Sequence, residues 1–578
     1  MNEIISRYCS RLEFDSYEDF FANYRCNVPD NFNFAYDVVD EWASMQPEKL
    51  ALLWTNDETI TQRYTFADMK RLSDKAANML TASGVKKGDV VMLILKQRPE
   101  VWIMMIALMK IGAVCIPATY QLTAKDLEYR CNIAEVKFLA AADDPELMTN
   151  IAAVRPHCAK LEHIAIVKSL TAEDRGNTRL PSGFIDLRAE IEKADEHFQR
   201  IETKTEEPML IFFSSGTTGM PKMVLHNYSL PLGHIVTAKY WQQVQENTVH
   251  LTQTDSGWAK FAWGKIYGQW ICGAAVGAYD TEKFTPQGML SALQRIRPAS
   301  FCAPATIFRY LIKEDLSGYD FSFIRNTTVA GEPLSPEVYH KFKELTGLEI
   351  REGFGQSETS VMAAVFKWLE VRPGSMGKPA PLFGLTLLDE NSDTCDDGIV
   401  GNMSITQAGK NMFETGGIGL SDTPGLFRGY WKDEDVTRNA WNCGTYQTGD
   451  MAWRDAEGYY WFVGRNDDVI KCSGYRIGPF EVESALMEHK SVLECAVTAA
   501  PDPMRGQVVK ATIVLAKGFS PSPELVKELQ NHVKRVTAPY KYPRIIEFVS
   551  ELPKTISGKI QRNLIRKKDL ESDTPYIV

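Results

Sequence analysis

No Cys-x-x-Cys pair occurs in the chain, and its eleven cysteines are odd in number and scattered. That pattern excludes a zinc ribbon or a disulfide framework and suits a reducing compartment, so a cytoplasmic protein is predicted. Long apolar runs are missing too. The most hydrophobic stretch, residues 102–118, is interrupted by Lys110, Gly112 and Pro117. It is too short to cross a bilayer and reads as a buried helix followed by a strand, with no membrane insertion. The first ten residues carry no apolar core followed by small residues, so no secretory signal is read there. Nor is there a basic stripe: 64 basic and 74 acidic residues give a net charge of −10, spread along the chain. Nucleic acid, which binds through phosphate neutralisation, is thereby excluded as a partner. The basic residues that do gather, Lys559, Arg562, Arg566, Lys567 and Lys568, read as the solvated face of a closing helix. Internal repeats and low-complexity tracts are absent.

What remains is a globular composition, 44% hydrophobic and 24% charged over 578 residues, long enough for several cores. The first four-fifths alternates short apolar runs with helical patterns. Residues 51–54 read as a strand. A helix follows from Phe66, with Thr65 as its N-cap, Met69, Leu72, Ala76, Met79 and Leu80 on one face, and Gly84 just past its end. Residues 90–95, 164–167 and 209–213 read as further buried strands. This alternation predicts an α/β fold, a large N-terminal domain of βα-layered sheets. The last hundred residues differ. A helix opened by Pro479, strands near 492–498 and 508–515, a helix capped by Ser522 and opened by Pro523, and a strand at 545–549 predict a small mobile α+β domain. The polar run Asn466-Asp467-Asp468 marks the boundary, giving domains 1–466 and 467–578 that are expected to move relative to one another.

Directly after the 209–213 run comes Ser214-Ser215-Gly216-Thr217-Thr218-Gly219-Met220-Pro221-Lys222. Glycines let the backbone turn sharply and aim N–H groups at an anion, hydroxyls add donors, and lysine adds charge, which is how a loop holds the phosphates of a nucleotide. It is not a Walker A loop, because no Gly-Lys-Ser/Thr follows the first glycine at the required spacing. Six more motifs follow. They are Ala330-Gly331-Glu332-Pro333, Gly353-Phe354-Gly355-Gln356-Ser357-Glu358, Tyr446-Gln447-Thr448-Gly449-Asp450, Gly464-Arg465-Asn466-Asp467-Asp468, Ser473-Gly474-Tyr475-Arg476-Ile477-Gly478 and Pro553-Lys554-Thr555-Ile556-Ser557-Gly558-Lys559. In this order, from about Phe34 to Arg566, the chain resembles the adenylate-forming superfamily of acyl-CoA synthetases, luciferases and peptide-synthetase adenylation domains.

The resemblance implies ATP, Mg2+ and coenzyme A as cofactors and a carboxylic acid as substrate. Ser214, Ser215, Gly216, Thr217, Thr218, Gly219 and Lys222 would meet the phosphates. Gly331, Glu332, Pro333, Glu352, Gly353, Phe354, Gly355, Gln356 and Ser357 would complete the ATP/AMP site, with Phe354 against adenine. Glu358 is the implied Mg2+ ligand. Asp450 would accept both ribose hydroxyls, and Arg465 would hold ribose or phosphate. Lys559 is implied to bridge the acid and the α-phosphate as acyl-AMP forms. Asp467 is the implied hinge, with Asp468 the alternative; the small domain would deliver Lys559, then swing to present Ser473, Gly474, Tyr475 and Arg476 to coenzyme A.

Finer features narrow the branch. Met223 stands where most members have glycine. With Asp255-Ser256-Gly257-Trp258, the 476–481 and 501–506 segments and Tyr540-Lys541-Tyr542-Pro543-Arg544, it is similar to medium-chain acyl-CoA synthetases. Arg505 and Arg544 become candidates for the phosphates of coenzyme A. Trp258 and Trp263 lie where such enzymes line the acyl pocket, opposite Gly331, and indoles there would favour short- to medium-chain, branched or aromatic acids. Lys260 either works inside that lining or snorkels outward, and the outward reading is preferred. Two alternatives stay open: an enzyme loading an amino or aryl acid onto a carrier protein, since amino-acid activators carry an aspartate near Asp255, and a non-catalytic nucleotide-binding protein. A homodimer is the assembly kept in view.

Overall fold

The computed structural model describes residues 3–169, 179–214, 220–406, 423–442, 445–472, 475–502, 506–554 and 560–571. Its strands form three sheets. In the first, Phe184–Asp186, His163–Val167, Val136–Ala142, Val90–Ile94, Val114–Pro117 and Pro208–Ser214 lie side by side and parallel. Lys222–Asn227 closes it, antiparallel to Pro208–Ser214. Parallel strands covered on both faces have no wet side, which is why Val90–Ile94 is apolar throughout and buried at every position.

The second sheet is mixed. Its parallel half runs Ile350–Phe354, Asn326–Val329, Ser300–Ala303, Val249–Thr252, Ala275–Asp280 and Leu50–Asn56, with Thr61–Thr65 antiparallel at the edge. The two-residue strand Ala363–Ala364 joins this half to an antiparallel one of Ser375–Pro379, Tyr460–Arg465, Thr445–Arg454, Gly401–Ile405 and Leu385–Leu388.

The third sheet is small: Tyr475–Ile477, Ile470–Cys472, Gly506–Leu515 and Val492–Asp502, with Ile545–Val549 parallel to Gly506–Leu515. Helices Pro479–Met487 and Pro523–Val536 cover it. Ile470, Val482, Leu486, Val497, Ile513, Leu529 and Ile546 make a core of their own. The expected α/β class with a smaller α+β part is therefore what the chain adopts.

Local signals acted as their chemistry requires. Thr65 caps helix Phe66–Ala82 in a reciprocal box with Asp68, and Gly84 takes the left-handed conformation after it, at φ +85°. Helix Glu100–Ile111 is buried along its whole length. It tolerates Lys110 there because Asp40 and Asp74 hold the ammonium at 2.8 and 2.6 Å. No helix among the described residues is long and apolar enough to cross a membrane, and the ten cysteines among them are free.

The basic cluster near the end departs from expectation at its arginines, while Lys567 and Lys568 are exposed as expected. Arg562, at the start of helix Arg562–Glu571, donates to both oxygens of Glu483 at 2.7 and 2.8 Å, and Arg566 reaches Asp468 at 2.5 Å. Lys568 meets Glu547 at 3.0 Å. The helix packs on strand Val492–Asp502, and its arginines face two largely buried carboxylates that would otherwise lack a counter-charge. They are inward rivets rather than a solvated face.

Candidate active site

Strand Pro208–Ser214 ends where the glycine- and hydroxyl-rich loop begins. Ser214 and Lys222 are register partners, so the two ends of the loop are brought together; Ser215, Gly216, Thr217, Thr218 and Gly219 lie outside the described residues. The exposed Lys222 places its ammonium 4.9 Å from the centre of the Tyr430 ring.

Strand Ile350–Phe354 delivers the second motif. Glu352 and Gly353 are buried, and Phe354 is half-buried with its ring 6.0 Å from that of Phe462. Gly355 admits no side chain, because a Cβ there would stand 2.4 Å from the Trp263 ring. Trp263 is thus packed beneath this loop, edge-on to Trp241. The Ser357 carbonyl lies 2.7 Å from Nε2 of His226. A carbonyl only accepts, so Nε2 carries the hydrogen, and burial holds the ring neutral with its pKa near 4. The sequence reading missed His226; its only signal was a polar residue directly after the apolar run Met223-Val224-Leu225.

Gln356 ties two motifs together. Its Nε2 donates to the Thr448 carbonyl at 2.8 Å and to Asp450 Oδ2 at 2.5 Å, and its Oε1 accepts the Tyr446 hydroxyl at 2.9 Å. Arg465 stands opposite Asp450 in the hairpin, donating to the Thr448 carbonyl at 3.2 Å with Asp450 Oδ1 at 3.5 Å. Glu358 is 9% exposed and accepts the Tyr430 hydroxyl at 3.0 Å. Burial raises its pKa, opposed by that hydrogen bond and by the charges of Arg465 and Lys222.

Residues 425–431 form a strap between strand Lys222–Asn227 and the Glu358–Ser360 loop. On one side Ser360 N–H donates to the Gly425 carbonyl and Phe427 N–H to that of Glu358, at 2.8 and 2.7 Å. On the other, Arg428 N–H donates to Leu225, Leu225 N–H to Gly429, and Trp431 N–H to Met223, at 2.7, 3.1 and 2.7 Å. The close passage needs glycine: Gly425 has φ +87°, and a Cβ on Gly233 would lie 2.5 Å from the Gly425 Cα.

Around the expected acyl pocket the structure revises details. Lys260 does not snorkel outward. Helix Ala259–Gly264 aims it at the Ala330 carbonyl, 2.8 Å away, and burial lowers its pKa. Trp258 is the half-buried N-cap of that helix. Glu332 accepts Thr306 N–H at 2.5 Å and Arg309 at 3.0 Å, so its carboxylate anchors helix Ala305–Leu311 rather than standing open. Gly331 beside it is exposed at φ +95°, and Pro333 is half-buried. Asp255 accepts Gly257 N–H at 2.7 Å, and burial pushes its carboxyl up to about 6.

In the C-terminal part, Arg544 stacks on Tyr542 and donates to its hydroxyl at 2.7 Å. Tyr475 and Arg476 lie in strand Tyr475–Ile477. Ser473, Gly474, Arg505 and Lys559 lie outside the described residues, although Lys554 and Ile560, which flank the Lys559 loop, pair as an antiparallel bridge. Asp467 is exposed, whereas Asp468 is 8% exposed and held by Arg566. Among the described residues no group of three or more His, Cys, Asp or Glu is arranged to hold a metal.

Residues 39–415 match the model of the AMP-binding enzyme family, and residues 481–559 match that of the AMP-binding enzyme C-terminal domain. The mitochondrial acyl-coenzyme A synthetase ACSM3 of Mus musculus is 40% identical over 96% of this chain and 94% of its own. An acyl-CoA synthetase of Brucella canis is 30% identical, with a TM-score of 0.71 over 97% of this chain and 100% of that one. The anthranilate CoA ligase AuaEII, solved with anthranoyl-AMP, superposes with a TM-score of 0.82 at 27% identity, over 94% and 98% of the two chains. With the family model spanning most of the large part and a named synthetase aligned over nearly the full length, the chain belongs to the AMP-binding enzymes as an AMP-forming acyl-coenzyme A synthetase of the medium-chain type.

Proposed function

We propose that the protein activates a short- to medium-chain, branched or aromatic carboxylic acid with ATP and transfers the acyl group from acyl-AMP to coenzyme A. The observation that carries the assignment is the hydrogen-bonded set joining Asp450, Gln356 and Tyr446 beside Glu358 and Tyr430. Paired carboxylate acceptors on Asp450 suit a ribose diol. The half-buried Phe354, near Phe462, offers an aromatic face for adenine. A lone buried carboxylate also fits Mg2+, which keeps several waters and takes further ligands from phosphates. Glu358 would hold that ion, whose charge would offset that of the phosphates.

In the first step a carboxylate oxygen attacks the α-phosphorus and the bond to pyrophosphate breaks. Lys559 would lie between the two anions and reduce their repulsion. In the second, the thiol sulfur attacks the acyl carbon, the bond to AMP breaks and the thiol proton is released. We place the boundary and hinge at Asp467. The last strand of the large sheet on that side ends at Arg465 and the small sheet begins at Ile470. Of the two exposed residues between them, Asn466 donates its N–H to the Gly449 carbonyl at 2.9 Å, while Asp468 is buried and pinned to the closing helix, which favours Asp467. Asp255, engaged with its own turn, argues against an amino acid whose ammonium it would have to meet. The compartment is proposed to be reducing; both the cytoplasm and the mitochondrial interior qualify, and the mammalian relatives are named mitochondrial. A homodimer is likewise a proposal, and light scattering of the purified protein decides it.

The test is acid-dependent exchange of pyrophosphate into ATP, followed by AMP and thioester formation with free coenzyme A. The acids should run from acetate to decanoate and include branched and aromatic ones. Exchange with members of this panel is expected; no AMP with any of them, in the presence of Mg2+, would remove the reading.

A further inference from the structure

We infer that Tyr430 is a positioning residue that couples the phosphate-loop lysine to the metal-binding carboxylate. The inference rests on the metal role proposed above for Glu358 and on the phosphate contact that the family resemblance implies for Lys222. Three observations meet on this side chain. Its hydroxyl donates to Glu358 Oε1 at 3.0 Å, and among the described residues it supplies the side-chain hydrogen bond that this buried carboxylate receives. Its ring lies 4.9 Å from the Lys222 ammonium, within reach of a cation–π attraction. Its backbone belongs to the strap that is hydrogen-bonded to both the Met223–Leu225 stretch and the Glu358–Ser360 loop, and Tyr430 itself bridges Val224. The tyrosine is 8% exposed and packed edge-on to Phe427, so neither its ring nor its hydroxyl is free to turn away.

A core aromatic needs no acid partner, and phenylalanine would fill the same volume. The hydroxyl instead fixes which oxygen of Glu358 faces inward, leaving the orientation of the other set as well. The ring face meanwhile holds Lys222 on the same side of the cleft. One side chain thereby sets the spacing between a cation for the phosphates and an anion for their metal, and that spacing has to match one nucleotide.

The experiment uses the full chain with Tyr430→Phe and Tyr430→Leu. Affinity for ATP is measured by calorimetry with and without Mg2+, and metal binding is read separately by Mn2+ paramagnetic resonance in the presence of ATP. The phenylalanine variant is expected to bind metal-free ATP like the wild type but to lose about tenfold in metal affinity, the size of a lost hydrogen bond to a charged group. The leucine variant should in addition lose about threefold in metal-free ATP affinity, as expected for an exposed cation–π contact. Wild-type metal affinity in Tyr430→Phe overturns the inference, as does a parallel loss of metal-free and metal-bound affinity with a falling melting temperature, which would mark a merely structural tyrosine. A wild type that binds neither ATP nor metal–ATP overturns the nucleotide roles themselves, and the coupling with them. Should the leucine variant fail to fold, the isosteric phenylalanine variant decides alone.

Discussion

Burial without a cation beside it pushes the Glu352 carboxyl up to about 8, and its Oε2 finds no hydrogen-bond partner among the described residues. In the unfolded chain this group ionises near 4.5. Between those values the folded state holds a proton that the unfolded state has lost. Stability therefore falls as pH rises through the window, by up to about 1.4 kcal/mol per unit. Glu352→Gln keeps the shape and removes the titration. The melting temperature of the ligand-free variant is expected to decline less than the wild type's from pH 5 to 8, and identical slopes would show the group ionised in the fold. The half-buried Trp258 is proposed to bear on selectivity. Trp258→Ala is expected to raise kcat/KM for longer acids relative to short ones by roughly 5- to 150-fold, the ~1–3 kcal/mol that a methylene's worth of pocket space carries, and an unchanged ranking would take the indole out of the pocket. At this scale the motifs were informative because glycines and charges sit at fixed offsets, as with Gln356, Glu358 and Asp450. Tyr430 and His226 were not legible. Each gains its meaning from a partner distant in sequence, Glu358 at a separation of 72 and Ser357 at 131, and no local pattern encodes such a contact. Lys260 was misread for a related reason, since the carbonyl that draws it inward belongs to Ala330, 70 residues on.

Helix Arg562–Glu571 shows how far an element can be read from its own residues. Its basic content is plain in the sequence, but the acids that turn its arginines inward come from helix Pro479–Met487 and from Asp468. Removing one partner of such a pair leaves the other poorly solvated. Arg562→Ala is expected to destabilise the C-terminal part by roughly 1–3 kcal/mol, below the value for a fully buried pair because the side chains keep 22% and 11% of their exposure. Faster amide exchange along that helix, with the large sheets unchanged, is the measurement; unchanged protection would make the pair ornamental. Helices with capping boxes and strands buried on both faces were legible because their signals are local. The strap at 425–431 carries no period of two or of 3.6 residues, so its place between a strand and a loop was invisible until they were seen to flank it.

For the whole molecule, one large βα-layered part followed by a small α+β part could be argued from the order of patterns; the division of the large part between two sheets could not. The joining of parallel and antiparallel halves through Ala363–Ala364 could not, since two residues are too few to show alternation. The proposed division of labour makes a sharp expectation. Lys559→Ala should abolish pyrophosphate exchange, by at least about a thousandfold, while thioester formation from supplied acyl-adenylate proceeds nearly as before. Equal loss of both half-reactions would show that the residue serves the fold instead.

The hairpin of Thr445–Arg454 and Tyr460–Arg465 sets Asp450 directly across from Arg465, two positions ahead of Asp467. Under the roles proposed above, the seat for the sugar and the root of the swinging part share one hairpin stem. Any graft that exchanges the small part for that of a relative should cut after this stem, because a junction inside it would retune the nucleotide's footing each time the lid was replaced.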